Sequence, residues 1–408
     1  MNTLVAKRSG FWGVSKDVWH DPRTWLFLLA ITEKSLFRYV LIALEILTGL
    51  EQIREIAIHI VYIIVIALCI KRGSRFCWGD YFIMLFVISA ILLTWLIYPD
   101  NIEMYMFGKE QFWPTVFPLF RFFIAGLFLI PNKENLELMG KVSCIAVLAE
   151  TFFALFVLRS SELQNNDDMS RAYFMLLNVL LVVNYAFDNR NILSVAISLV
   201  GMMLLLSMGT RGPIIILLAF MASKVFQMTT NANNRGVIVV ALLFLIWFVN
   251  SPYWNMSLLF IQGILSSLGM STRVIDFTIQ GETITYYNER DEIAKVVMNK
   301  IMERPFEGWG VYGEWQFVGW SAHNMYLEIL DHYGVVLGGG IILSMIFNVT
   351  KAFFVSKVAS PARSLVLLFA CNVFVRGVFG GGFLTSATFL MIGYCLQVCR
   401  KTNFKYLP

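Results

Sequence analysis

The sequence predicts an all-α, polytopic integral membrane protein of about 12 transmembrane helices, with one large outer loop between spans nine and ten. Three observations carry this. Hydrophobic residues make up 58% of the 408-residue chain and charged residues only 14%, against about 25% charged in an ordinary soluble protein. Mean hydropathy is +0.68. Apolar runs able to cross a bilayer core, which takes roughly 20 helical residues, recur along the chain. A soluble fold cannot cover so much apolar surface with polar side chains, whereas lipid can solvate it. The composition excludes a disordered chain, a disulfide-rich secreted domain and a nucleic-acid binder, so no nucleic-acid partner is expected. The net charge of +5 becomes a question of where the positive residues sit.

Residues 1–35 carry Lys7, Arg8, Lys16 and Arg23 among polar and aromatic residues. They read as a cytoplasmic N-terminal segment with no cleavable signal peptide. A nine-span membrane bundle follows over 36–250, with spans near 36–50, 55–70, 81–98, 114–130, 141–158, 172–187, 191–207, 212–228 and 236–250. Residues 251–322 form the large outer loop. A three-span bundle over 323–408, with spans near 325–350, 363–379 and 383–399, ends in a cytoplasmic C-terminus. Lys and Arg decide the orientation, because they accumulate on the cytoplasmic side. With both termini inside, twenty of the 32 fall inside and ten outside, while Arg121 and Arg376 lie within spans. The six cysteines fall at inner helix ends or within a span, none in an outer loop. No disulfide framework is implied, and no Cys or His spacing suggests a metal or cofactor.

The loop is not of disordered composition. It holds Trp254, Trp309, Trp315 and Trp320. Ile293, Val297 and Ile301 recur at every fourth position, which predicts an amphipathic helix over 288–304 ended by Pro305. Gly308, Gly310 and Gly313 make a turn-rich strip leading to His323. Eight acids face five bases in this loop, so it is not a polybasic surface, and any anion site there rests on particular arginines.

Three outer segments carry chemistry. Ser207-Met208-Gly209-Thr210-Arg211-Gly212-Pro213 interrupts the apolar run between spans seven and eight. Its glycines permit a tight turn and Pro213 suits a first helical turn. Arg211 therefore stands beside a helix N-terminus, which favours an anion; the alternative is an arginine snorkelling to lipid headgroups. Tyr287-Asn288-Glu289-Arg290-Asp291 starts the loop helix, either as a solvated helix start or as part of a site. Trp320-Ser321-Ala322-His323-Asn324-Met325-Tyr326-Leu327 re-enters the membrane, with His323 either a structural hydrogen-bonder or a catalytic group. Asp331 and His332 read as further interfacial residues. Arg121 and Arg376 are costly within spans unless each faces a wet cavity or a partner, and Glu45 and Glu150 are the candidate partners.

In combination these segments resemble the O-antigen ligase and O-antigen polymerase superfamily. The resemblance rests on the Ser-x-x-x-Arg-Gly turn, the large outer loop, Arg290 in the first turn of the loop helix, Arg304-Pro305-Phe306-Glu307-Gly308-Trp309-Gly310, then His323-Asn324-x-Tyr326-Leu327 and Gly334. Where the family places a serine or threonine beside the arginine, Thr210 adjoins Arg211 here and Ser207 lies a turn away. The resemblance implies a glycosyltransferase of the bacterial inner membrane, with membrane lipid around it. It would polymerise undecaprenyl-pyrophosphate-linked repeat units into O-antigen or capsule on the outer face, taking one lipid-linked glycan as donor and another as acceptor. A chain-length regulator would be a further partner. No metal and no cofactor are implied, so arginines must neutralise the pyrophosphate leaving group, a task their bidentate fork suits. Arg211 and Arg290 match family positions, with His323 as general base. Its unperturbed pKa of about 6.5 suits the task near neutrality. Arg121, Arg376, Arg273, Asn324, Tyr326, Thr210 and Trp320 complete the expected substrate-binding set. The alternatives are a ligase passing finished glycan to lipid A-core, and a 12-span transporter or lipid-linked glycan flippase. No repeat of two similar halves supports the last.

Overall fold

The structure is a computed structural model describing residues 16–33, 35–41, 53–103, 113–156, 167–189, 191–229, 247, 250–280, 289–319, 321–357, 360–380 and 382–403. Among the described residues every regular element is helical, with no strand. Among the described residues, five helices are long and apolar enough to cross a membrane: Trp78–Ile97, Lys133–Leu155, Arg171–Asn189, Met325–Val355 and Pro361–Phe379. Their outer faces are apolar as well. Along Trp78–Ile97, Phe82, Leu85, Leu93 and Leu96 are all exposed, a continuous surface that water would not tolerate and lipid does. The protein is a helical membrane protein. The span expected at 236–250 lies outside the described residues except at 247 and 250, and most of that at 36–50 lies outside them too.

The core starts earlier than hydropathy suggests. Helix α1 (Lys16–Trp19) leads into α2 (Pro22–Thr32). Asp21 caps α2 by accepting the Arg23 amide at 3.0 Å, and Pro22 occupies its first position. Leu26 and Phe27 of α2 are completely buried. Residues expected to form a cytoplasmic segment thus pack into the bundle, against α3 (Ile53–Lys71), α5 (Trp113–Phe128), α6 (Lys133–Phe156) and α7 (Asp167–Asn189). With 11 residues, α2 is too short to register as a span, because a span takes roughly 20.

Helix α4 is Trp78–Ile97, α8 is Ile192–Ser207 and α9 is Arg211–Thr229. The expected outer loop is itself mostly helical. It contains α10 (Pro252–Ser267), α11 (Arg273–Ile279), α12 (Glu289–Glu303) and the short α13 (Glu314–Val318). Helix α10 has no charged residue and exposes Tyr253, Met256, Leu259 and Phe260. It extends the apolar surface instead of behaving as an aqueous loop. The C-terminal part comprises α14 (Met325–Val355), α15 (Pro361–Phe379) and α16 (Ser386–Asn403).

Helices α5 and α16 meet backbone to backbone through two glycines. A Cβ on Gly126 would strike the Leu390 carbonyl and come within 2.8 Å of the Tyr394 amide, and one on Gly393 would strike the Phe123 carbonyl. Small residues at such a crossing replace side-chain interlock with close backbone approach. Gly393→Val is expected to destabilise the bundle by about 1–3 kcal/mol, the usual cost of overpacking. Thermal unfolding of the purified protein in detergent measures this, and an unchanged midpoint would refute the tight crossing.

Candidate functional site

Helix α8 ends at Ser207 and α9 begins at Arg211, with Gly209 at φ +72° turning the chain between them. That left-handed backbone is what glycine permits. The two candidate hydroxyls part company here. Ser207 Oγ donates to the Leu204 carbonyl at 2.7 Å, so it is consumed within its own helix. Thr210 Oγ1 is buried and has no partner. A residue before a helix usually accepts the amide of the third helical residue, but that position is Pro213, which has no N–H. The Thr210 hydroxyl is therefore left to something else.

Arginines gather around this turn. The Arg211 guanidinium lies over the Phe277 ring at 4.2 Å, and that of Arg273 lies over the same ring at 5.7 Å. Phe277 belongs to α11, so the loop packs back onto the turn. The next residue, Gly212, sits under the Tyr173 hydroxyl, which a Cβ there would strike. Tyr173 in turn carries Arg376 over its ring at 4.5 Å. The chain of contacts runs Arg273–Phe277–Arg211, then Gly212–Tyr173–Arg376. It joins two arginines expected at the outer surface to one expected within a span.

Arg376 follows a π-helical turn at Cys371–Val375 inside α15. Such turns widen a helix by one residue and mark functional positions more often than chance. Its Nε has no hydrogen-bond partner, and neither has the buried Asn372 Oδ1 within the π turn. Its companion on the other side is the start of α14. Tyr326 Oη donates to the Phe374 carbonyl at 3.2 Å, and the Met325 side chain packs on Gly377. The His323-Asn324-Met325-Tyr326 segment is thereby anchored beside Arg376. Asn324 caps α14, its Oδ1 accepting the amides of Tyr326 at 3.0 Å and Leu327 at 3.2 Å. That role occupies the oxygen the sequence reading gave to substrate.

His323 is half-buried and adopts φ +52°. Few residues other than glycine do so, and such backbone costs about 1–2 kcal/mol. Its amide donates to Ser321 Oγ at 3.2 Å, and the Ser321 hydroxyl donates to Glu328 at 3.3 Å. Buried Glu328 also accepts the Phe383 amide just past the Gly380–Gly382 run. The strained histidine is thus held from both sides.

The remaining candidates fall elsewhere. Arg121 pairs with buried Glu33 at 3.0 Å, donates to His59 Nδ1 at 2.9 Å and lies over the Tyr62 ring at 4.8 Å. Tyr62 Oη donates to the same Glu33 at 2.8 Å. Of the two expected partners, only Glu150 can be placed. Glu45 lies outside the described residues, and Glu150 answers Arg171 at 2.5 Å and the Tyr39 hydroxyl at 2.5 Å. A buried pair of this kind holds α2, α3 and α5 together, apart from the contacts around Arg211. Arg290 is the second residue of α12, and its side chain lies outside the described residues, as does Trp320. Of the loop tryptophans, Trp315 is buried in the core. Trp309 is held by its Nε1 donating to the Lys300 carbonyl at 2.8 Å, with Arg304 over its ring at 4.1 Å.

The structure also gives the glycine strip a purpose. Helix α14 breaks at Gly334, at φ 72° and ψ 171°, a region essentially reserved for glycine. The break frees backbone groups, and the strip satisfies them. Trp309 N–H donates to the Asp331 carbonyl at 2.7 Å, Gly310 N–H to the His332 carbonyl at 3.2 Å, and Val335 N–H to the Pro305 carbonyl at 2.6 Å. The far side of the strip is tied to α4 and its end, where Thr94 accepts the Val311 amide at 2.9 Å and Asn101 donates to the Trp309 carbonyl at 2.7 Å. Asp331 and His332, expected at the interface, are instead fully enclosed beside this break, together with Glu314. The sequence spacing gave no hint of this cluster, since Glu314 is distant in the chain and meets the other two only when the strip docks.

No protein-family model matches this chain, and no curated protein matches it.

Proposed function

We propose that the protein is a glycosyltransferase of the bacterial inner membrane. It polymerises undecaprenyl-pyrophosphate-linked oligosaccharide units into O-antigen or capsule on the outer face, with both termini cytoplasmic. The observation that carries this reading is the linkage of Arg211 to Arg376 through Gly212 and Tyr173, with the His323 helix start anchored on the Arg376 side. A pyrophosphate leaving group gathers charge as the glycosidic bond breaks. Arg211, the Thr210 hydroxyl and the first amides of α9 offer donors for it at a helix N-terminus, where the helix dipole adds to the attraction. Arg376, lying deeper in the bundle, receives the part of the pyrophosphate nearest the lipid chain. Arg273 approaches from the loop, and Arg290 is given the same role by the family resemblance alone. His323 accepts the proton of the acceptor sugar hydroxyl as that oxygen attacks the anomeric carbon. Its strained, doubly tethered backbone keeps the ring where the acceptor must come.

Aromatic support suits this task. An arginine already bound to a carboxylate has little left for a phosphate. Some cations assigned to the cytoplasmic side are answered by acids, as Lys224 is by Asp188 at 3.1 Å and Arg400 is by buried Asp80. Arg376 instead rests on a ring face with its Nε unpartnered, which leaves a donor for a phosphate oxygen, and Arg211 also lies over a ring.

The test is the surface glycan of a deletion strain, with purified protein given lipid-linked repeat units. The expected result is an acceptor carrying a single repeat in the strain, and longer lipid-linked chains in vitro. An acceptor devoid of glycan, with long lipid-linked chains accumulating, would replace the polymerase with a ligase. Translocation by vesicles without chain growth would remove the enzyme altogether.

A further inference from the structure

The break in α14 encloses a group of side chains for which the glycan chemistry has no use. Glu314, Asp331 and His332 bring one potential ligand atom each to within 4.8 Å of one another. Glu314 and Asp331 are 0% exposed and His332 is 2% exposed. Side-chain hydrogen bonds do not account for the Asp331 carboxylate. Neither oxygen of the Asp331 carboxylate has a hydrogen-bond partner, although Oδ2 is pressed close to Gly313. His332 Nε2 stands 2.8 Å from Glu314 Oε2 while also accepting the Tyr312 amide at 3.0 Å. A ring nitrogen that has accepted an amide proton has no hydrogen to give a carboxylate. One of these two contacts must therefore give way: a protonated Nε2 donates to Glu314, whereas an unprotonated one offers its lone pair either to the Tyr312 amide or to a cation. Glu328, also buried, adds another carboxyl one turn away on α14. Asp331 forms no ion pair with Lys or Arg among the described residues. Enclosing such a carboxylate without compensation costs several kcal/mol.

We propose that Glu314, Asp331 and His332 hold a divalent transition-metal cation of the Zn²⁺ or Mn²⁺ class. Two carboxylates with one imidazole suit these ions, which accept mixed oxygen and nitrogen donors. Calcium would demand six to eight oxygens, and magnesium would retain its water. A spacing of 2.8 Å between Nε2 and Oε2 is one that two donors take on a common ion about 2.0–2.2 Å from each. The Tyr312 amide bond to Nε2 is the contact that the ion displaces. The consequence is mechanical. The ion fastens the glycine strip and α13 to the broken helix, whose first turn carries the anchor of His323. It does not replace the arginines in neutralising pyrophosphate.

The experiment uses the full-length protein in detergent, stripped with a chelator and titrated with Co²⁺, whose visible absorption reports coordination. One saturable Co²⁺ per chain is expected, displaced by stoichiometric Zn²⁺, with the unfolding temperature falling on chelation and returning with metal. Asp331→Asn and Glu314→Gln should each weaken Co²⁺ binding by at least tenfold. Wild-type protein without a saturable Co²⁺ band, and with the same unfolding temperature before and after chelation, would overturn the proposal and assign the cluster to shared protons. Both wild-type measurements stand even where the variants fold poorly. Neither depends on polymer formation, so loss of the metal site would leave the glycosyltransferase reading to its own test.

Discussion

Arg211→Ala is expected to lower polymer formation by about 100- to 1000-fold, the usual consequence of removing one donor from a developing anion. The protein should remain in the membrane at its normal level. Arg211 lies at the first position of α9 and is half-buried over Phe277, so its loss opens no core cavity. Arg211→Lys keeps the charge but loses the fork and the flat contact with the ring, so an intermediate defect is expected. Arg376→Ala and His323→Ala should be as severe as Arg211→Ala, because the proposed reaction assigns each a different part. The measurement is the length distribution of glycan made by purified protein from lipid-linked repeat units, beside an immunoblot of membrane fractions. Full-length polymer from the Arg211, Arg376 and His323 alanine variants would end the assignment.

Gly334→Ala should damage the fold through both backbone strain and a backbone clash. The backbone there needs φ 72° and ψ 171°, and an added Cβ would lie 2.5 Å from the Phe306 carbonyl oxygen and 2.9 Å from that of Pro305. Strain of this kind costs about 1–3 kcal/mol before any clash. The chain can escape only by straightening α14 or expelling the strip. Either would strand the Asp331 and His332 carbonyls now served by Trp309 and Gly310. We expect a lowered unfolding temperature and rapid proteolysis between Arg304 and Val318, where the strip would come loose. A fully active Gly334→Ala protein, with its protease resistance intact, would contradict the docking.

The contrast between Gly334 and Glu314 shows how far the sequence could be read. Gly308, Gly310 and Gly334 are visible as punctuation because glycine is read locally. The structure gives them a common purpose that no spacing rule states. The loop helix was legible from Ile293, Val297 and Ile301, and α12 runs Glu289–Glu303 with Val297 and Ile301 buried. Arg211 was legible because a turn of Gly, Thr and Pro predicts a helix start. Contacts between distant positions were not. Arg121 finds Glu33, 88 residues away, and a sequence offers no reason to prefer Glu33 over Glu45 or Glu150. Helix α2 escaped notice because hydropathy windows are tuned to membrane thickness, while a short helix can be buried by its neighbours. The Glu314 cluster escaped for the same reason as the ion pair, since each member alone resembles an interfacial polar residue.

The π turn at Cys371–Val375 sets the aim of Arg376 as a matter of angular phase. Each residue of an α-helix advances the side chain by about 100° around the axis. One extra residue in a single turn therefore rotates everything downstream relative to everything upstream. The first half of α15 can keep its buried face, with Leu365, Leu368 and Phe369 in the core, while the last turn points Arg376 toward Tyr173 instead. Were the turn to relax into a regular helix, the guanidinium would swing by roughly a quarter of a circle without any change in sequence. The helix thus behaves as two keyed shafts joined at a fixed offset, and that offset decides whether the Arg376 guanidinium faces the Tyr173 ring or turns away from it.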